Sequence, residues 1–318
     1  MSDPDIAVLR QKIHGMPAAD YADEIRSRLP DHDVAVATTP DEERELLRTV
    51  RVATGVTFPT GLLPAASNLE LFACAYAGTS HLDVDEFAAH DVALTNASGV
   101  HGPNIAEYAI GAMVYFTRGF GRARRQQERR RWQSYPGDEL MGSTVTVVGL
   151  GAIGETLVDR LDPFGVETLG VRYSPEKGGP TDEVFGFDEI HEPLARSDYL
   201  VLACPLTETT RGLLGDDEFR TLPSEALLIN VARGPVVDTE ALLGALRSND
   251  VRGAVLDVTD PEPLPEDHPL WEFDDVLVTP HNAGHTPKYY DRLADILAEN
   301  VERAADAGGF EDLKNQVV

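Results

Sequence analysis

The residues best suited to chemistry lie in the second half of this chain, and the first group is a glycine loop. Gly149-Leu150-Gly151-Ala152-Ile153-Gly154 has the spacing G-x-G-x-x-G. It follows the apolar run Thr144 to Val148 and opens an amphipathic stretch through Glu155 to Phe164. In that setting the glycines let a pyrophosphate approach the backbone at the positive end of a helix. The loop lacks the Gly-Lys-Ser/Thr ending of nucleotide-hydrolysing phosphate loops. It therefore reads as a dinucleotide site built on Gly149, Gly151, Ala152, Ile153 and Gly154.

The next strand selects the dinucleotide. An acid at its end would bond the ribose 2′-hydroxyl and choose NAD. The chain reads Gly170-Val171-Arg172-Tyr173-Ser174, with Arg172 where that acid is expected. A guanidinium suits a 2′-phosphate, and Ser174 can add a neutral hydrogen bond. The expectation is NADP, with NAD as a weaker alternative, and Tyr173 beside them. Tyr173 and Lys177 also match the Tyr-x-x-x-Lys of short-chain dehydrogenases. That chemistry needs both residues on one helical turn, and Pro175, Gly178 and Gly179 make this segment a loop.

Polar residues recur at the ends of later strands, where ligands of doubly wound sheets bind. They occur in Asn230-Val231-Ala232-Arg233-Gly234, Leu256-Asp257-Val258, Pro261-Glu262-Pro263 and Thr279-Pro280-His281-Asn282-Ala283-Gly284. With the glycine loop and the segment Pro205 to Gly212, these motifs stand in an order that resembles the D-isomer-specific 2-hydroxyacid dehydrogenase family over nearly the whole chain. The resemblance implies hydride transfer between a nicotinamide coenzyme and a small 2-keto or 2-hydroxy acid. It also implies a catalytic set of Arg233, Glu262 and His281. An imidazole titrates near neutral pH and can supply the proton that a reduced carbonyl oxygen takes up. Glu262 would bond the other ring nitrogen and favour the imidazolium. Arg233 would bond the substrate carboxylate and polarise its carbonyl. Further coenzyme contacts are expected from Cys204, Pro205, Thr210, Val231, Ala232, Arg233, Asp257, His281, Ala283 and Gly284, with Asp257 at the nicotinamide carboxamide.

In the first half, Ala75-Tyr76-Ala77-Gly78-Thr79 resembles the family's carboxylate-binding turn. Tyr76, Ala77 and Gly78 join Arg233 and His281 as substrate-binding candidates. The family is richer in glycine here, and Tyr76 replaces one of them. No metal site is expected, because His81, His101 and His285 have no second ligand at a matching spacing.

The elements that must position these groups alternate. Strand-like runs at 6–9, 34–37, 50–53, 69–75 and 92–95 are interleaved with helices at 18–28 and 41–47. A long helix is expected from Asn104 to about Trp132, with an apolar first part (Ala106, Ile110, Met113, Val114) and a basic second part from Arg122 to Arg131. Strands then recur at 144–148, 168–171, 199–203, 226–230, 253–258 and 276–279, with helices starting near Asp188, Asp216 and Thr239 and a last one over 288–307. The pattern predicts an α/β chain of two doubly wound parallel-sheet domains, Rossmann-like and flavodoxin-like. Residues 1–97 plus 286–318 form the substrate domain, and 98–285 an inserted coenzyme domain. The family resemblance implies substrate bound in the cleft, closure by a hinge, and a homodimer with an arm near Trp132 reaching the partner.

The chain has 318 residues, 54 acids against 27 bases and a formal charge of −27; its only lysines are Lys12, Lys177, Lys288 and Lys314. Such a surface repels nucleic acid and anionic lipid. It resembles the cytoplasmic proteins of salt-accumulating organisms. The basic run from Arg122 is broken by Gln126, Gln127 and Glu128 and reads as a solvated face or subunit contact. No apolar run reaches a membrane-spanning length, and the acidic start Met1-Ser2-Asp3-Pro4-Asp5 has no secretory pattern. Cys74 and Cys204 sit in apolar contexts and do not suggest a disulfide, so the expected compartment is the cytoplasm. Within the family the alternatives are a glyoxylate/hydroxypyruvate reductase and, disfavoured because no regulatory domain follows residue 318, a phosphoglycerate dehydrogenase. A dinucleotide-binding corepressor is the alternative outside catalysis.

Overall fold

The computed structural model describes residues 4–10, 12, 13 and 15–318. Met1, Ser2 and Asp3, the start of the acidic N-terminus, lie outside the described residues. The chain divides into two compact units, Met1–Val100 with His285–Val318, and His101–Gly284.

In the first unit, β1 (Ile6–Val8), β2 (Val34–Val36), β3 (Val52–Gly55), β4 (Leu71–Cys74) and β5 (Ala93–Thr95) form a parallel sheet in the order β2-β1-β3-β4-β5. Alternate residues of a strand face opposite sides. Ile6, Val8, Leu71 and Ala73 enter one core, while Ala7, Phe72, Cys74 and Leu94 enter the other. Both faces are covered, which is why these strands read as continuous apolar runs. The helices Ala18–Arg28 and Tyr289–Ala307 pack together on the first face. Arg28 ties them, donating to Glu24 on its own helix at 2.7 Å and to Asp291 and Asp295 on the other at 2.6 and 2.5 Å.

In the second unit, β6 (Thr144–Val148), β7 (Glu167–Val171), β8 (Glu183–Phe185), β9 (Tyr199–Leu202), β10 (Leu227–Asn230), β11 (Gly253–Leu256) and β12 (Val276–Val278) form another parallel sheet. Its order is β12-β11-β10-β9-β6-β7-β8. Winding reverses between β6 and β9, the switch point where a crevice opens at the carboxyl ends of the strands. Both sheets are parallel and doubly wound, as the alternation predicts.

The expected long helix is two. Gly102–Thr117 carries the apolar face, and Phe120–Glu128 has no buried residue. They break at Gly119, whose φ of +61° is left-handed, a conformation that interrupts a right-handed helix. Trp132 lies beyond the second helix and is fully exposed. The strand β8 and the helix Val84–Ala89 were not anticipated, since three and six residues are too short to establish a period.

Candidate active site

Because all strands of the second sheet are parallel, their carboxyl ends lie along one edge. The glycine loop follows β6, Arg172 to Ser174 follow β7, and Cys204 and Pro205 follow β9. Val231 to Arg233 follow β10, Asp257 to Glu262 follow β11, and His281 to Gly284 follow β12. Segments scattered over more than 130 residues of sequence are thereby brought to one edge of one unit. Tyr76, Ala77 and Gly78 follow β4 in the other unit, and all three are exposed.

The loop is shaped for a ligand that meets backbone. Gly149 has φ +102°, and a Cβ built there would lie 2.6 Å from the Cys204 backbone. Only glycine lets the β6 loop pass so close to the end of β9. The helix Ala152–Leu161 starts directly behind it, so its first N–H groups face the loop. This cradle fits a dinucleotide pyrophosphate. Arg172 is half-buried and donates from Nη1 to the Gly178 carbonyl at 2.6 Å, across its own loop. Tyr173 is 81% exposed and Ser174 half-buried. Ser174 is outside helical conformation (φ −122°, ψ 80°), as the loop reading of this segment requires.

The strongest arrangement is at His281. Its Nδ1 lies 2.9 Å from Glu262 Oε2. A carboxylate only accepts, so Nδ1 carries the proton and the other ring nitrogen, Nε2, is left to exchange one. Glu262 is itself held, its Oε1 accepting from the Thr259 amide at 3.0 Å. The peptide bonds Asp260–Pro261 and Glu262–Pro263 are both cis. His281 has φ +52°, an uncommon conformation for a residue with a side chain.

The surroundings over-determine that conformation. The His281 amide donates to the Asp257 carbonyl at 2.8 Å. The buried Asp257 carboxylate then accepts from Thr279 Oγ1 (2.6 Å), the Asn282 amide (2.8 Å) and the Ala283 amide (3.0 Å). Tyr108 Oη lies 2.6 Å from Thr279 Oγ1, and Asn104 donates to the Ala283 carbonyl at 2.7 Å. Burial pushes the Tyr108 phenol up to about 12, so it stays neutral. Asp257, read from sequence as a coenzyme contact, is thus also the post that holds the His281 turn.

Arg233 is exposed, with Nη1 on the Ala232 carbonyl at 2.6 Å. Asn230 shapes its turn, accepting from the Ala232 amide at 3.0 Å and donating to the Arg233 carbonyl at 3.2 Å. Thr210 is buried, its hydroxyl on the Pro205 carbonyl at 2.6 Å, so it closes the loop after β9. Sequence reasoning placed Asn230 and Thr279 in strand-end segments without giving them a role, and it missed Thr259, Tyr108 and Asn104. Asn230 alone carried a local signal, an asparagine at a strand end preceding a turn. The others act through contacts that no spacing reveals.

A cavity of about 660 Å³ borders this pair, lined by Thr259, Glu262, Leu264, Trp271, Val278 and His281 among others. Burial pushes the Cys204 thiol up to about 11 and raises that of Cys74. Among the described residues no group of three His, Cys, Asp or Glu could hold a metal, and no helix is long and apolar enough to cross a membrane.

Comparison with known proteins identifies the class. Residues 110–283 match the sequence profile of the D-isomer specific 2-hydroxyacid dehydrogenase, NAD binding domain. A glyoxylate reductase from Thermofilum pendens is 35% identical over 277 residues, covering 82% of this chain and 81% of that protein. The chain belongs to the D-isomer specific 2-hydroxyacid dehydrogenase family. A D-3-phosphoglycerate dehydrogenase from Methanocaldococcus jannaschii is 30% identical over 90% of this chain, which spans only 56% of that relative's length. Among solved structures, a family protein from Aeromonas salmonicida aligns with a TM-score of 0.81 at 31% identity, covering 100% of this chain and 99% of that one. One from Xanthobacter autotrophicus Py2, in complex with NADPH and MES, gives 0.80 at 30%, covering 100% and 98%.

Proposed function

We propose that this protein is an NADP(H)-preferring 2-keto acid reductase and D-2-hydroxyacid dehydrogenase, with His281, Glu262 and Arg233 as its catalytic residues. The observation that carries the reading is the 2.9 Å pairing of His281 Nδ1 with Glu262, which commits one ring nitrogen and leaves Nε2 for proton exchange. The loop Gly149 to Gly154 would hold the coenzyme pyrophosphate, Arg172 and Ser174 would contact its adenosine part, and Asp257 and Ala283 its nicotinamide part. When bound, that coenzyme would supply or take up the hydride.

Reduction adds a proton to the substrate oxygen, and protonated His281 delivers it from Nε2. The Glu262 carboxylate stabilises the imidazolium before transfer and keeps the ring oriented after it. In the oxidative direction neutral His281 accepts the hydroxyl proton at the same atom. Arg233 binds the substrate carboxylate and stabilises negative charge growing on the carbonyl oxygen. The first unit acts as the substrate domain, with Ala77 and Gly78, in the turn after β4, as its carboxylate-binding amides; residues 101–284 act as the coenzyme domain.

The glyoxylate reductase relative and the NADPH-bound structural neighbour support a small keto acid and a phosphorylated coenzyme. The reading extends to a homodimer using the arm at Trp132 and to function in the salt-rich cytoplasm that the acidic surface suits. The test is coenzyme oxidation with a panel of 2-keto acids of increasing chain length, glyoxylate and hydroxypyruvate included, with NADPH and NADH in parallel. Turnover of small 2-keto acids with NADPH is expected. Coenzyme binding with no turnover on any member of the panel would refute it and favour a binding protein.

A further inference from the structure

The turn proposed to hold the substrate carboxylate is fixed from a distant part of the sequence. Tyr289, fully buried at the start of the C-terminal helix, donates its hydroxyl to the Ala75 carbonyl at 2.5 Å. One residue on, the Ala97 amide donates to the Tyr76 carbonyl at 3.1 Å. Ala75 and Ala97 are both fully buried, so both carbonyls are drawn inward. In a planar trans peptide the N–H points opposite to the C=O. Pulling the Tyr76 carbonyl inward therefore turns the Ala77 N–H outward, where Ala77 and Gly78 are exposed. Burial holds the Tyr289 phenol well above its usual range, so it remains a donor at any working pH.

We propose that Tyr289 is a positioning residue for the reaction: its hydroxyl on Ala75 sets the turn that presents the Ala77 and Gly78 amides to the substrate carboxylate. This rests on the reading of that turn as the carboxylate site. The Tyr289 ring is kept by other contacts. It meets Tyr290 edge-on at 6.2 Å; Tyr290 stacks on Tyr21 at 5.1 Å and donates to the Met16 carbonyl at 3.0 Å. Tyr289→Phe therefore removes the hydroxyl without emptying the site.

Kinetics of Tyr289→Phe are measured with the best 2-keto acid of the panel and with the methyl ester of the same acid, which lacks the carboxylate charge. Losing one neutral hydrogen bond from the turn should raise KM for the acid about fivefold to tenfold. The kcat and the NADPH Kd should stay within about twofold, because carboxylate binding is shared by ground and transition states. KM for the ester should not move. A lowered melting temperature with unchanged acid KM, or equal losses for acid and ester, would overturn the proposal. Ala77→Pro and Gly78→Pro, each deleting one turn amide, test the underlying reading in whichever variant stays folded by circular dichroism. Unchanged acid KM there refutes the carboxylate turn, and the proposal with it. Raised KM there, but not in Tyr289→Phe, leaves the turn standing and refutes Tyr289 alone.

Discussion

Replacing Arg172 by aspartate should transfer coenzyme preference from NADPH to NADH, and the structure limits how far. Arg172 follows β7, where the adenosine ribose of a dinucleotide lies in doubly wound folds. Its Nη1 is committed to the Gly178 carbonyl at 2.6 Å, which fixes the guanidinium plane and leaves its remaining N–H groups for a 2′-phosphate. A hydrogen bond to a charged group contributes roughly 1.5–3 kcal/mol. The half-exposed setting and the committed N–H favour the lower end, so the wild-type preference should be about tenfold in kcat/KM. In Arg172→Asp the sign reverses. The carboxylate repels the 2′-phosphate and accepts from the 2′-hydroxyl, so NADH should become the better coenzyme by about tenfold or more. The assay is initial-rate kcat/KM for both coenzymes at one fixed 2-keto acid concentration, repeated at low and high salt because screening trims the ionic part. A wild-type enzyme that favours NADH, or an aspartate variant that keeps its NADPH preference, refutes the reasoning. Tyr173, Ser174 or Lys177 would then carry the discrimination.

Other outcomes follow from the same geometry. His281→Ala should lower kcat by ~10²–10⁴-fold with coenzyme affinity retained in a fluorescence titration, and near-normal turnover would remove His281 as proton donor. Glu262→Gln should cost about tenfold to a hundredfold in kcat at unchanged NADPH Kd, the value of one hydrogen bond to a charged ring; a silent substitution would leave Glu262 only bracing its turn. Cys204 should resist thiol-labelling reagents at pH 8 until the protein is unfolded, because burial keeps it neutral. Its thiol is raised from 9.0 to about 11, so between those values the unfolded chain has lost the proton that the native one keeps, and stability should fall as pH rises. Rapid labelling of the native enzyme would contradict this. Activity and melting temperature should climb with salt beyond ~0.15 M, where the screening length is already about 8 Å, given the net charge of −27. Full stability in dilute buffer would count against a salt-adapted surface.

Much of the candidate site was legible because the motifs that resemble the family's are local. The glycine spacing needs only the strand before it and the helix after it, both of which have their own periodicity. Parallel strands covered on both faces announce themselves as apolar runs, which is why β6, β9, β10 and β11 were recoverable almost to the residue. The helix break at Gly119 was hidden, since apolar and basic helical patterns run on either side of a single glycine.

What the chain by itself determined is therefore the alternation of elements, the dinucleotide loop, and which residue types stand at the strand ends. What only the tertiary structure decided is how those residues are held. Glu262 meets His281 at 2.9 Å because β11 and β12 are neighbours in the sheet, an order that no local pattern states. Asp257, Thr279, Tyr108 and Asn104 converge on the His281 turn from two strand ends and a helix as many as 179 residues away. The left-handed backbone of His281 persists because those hydrogen bonds outweigh its intrinsic cost of about 1–3 kcal/mol. Hydrogen bonds between distant residues depend on packing, and packing is a property of the whole fold.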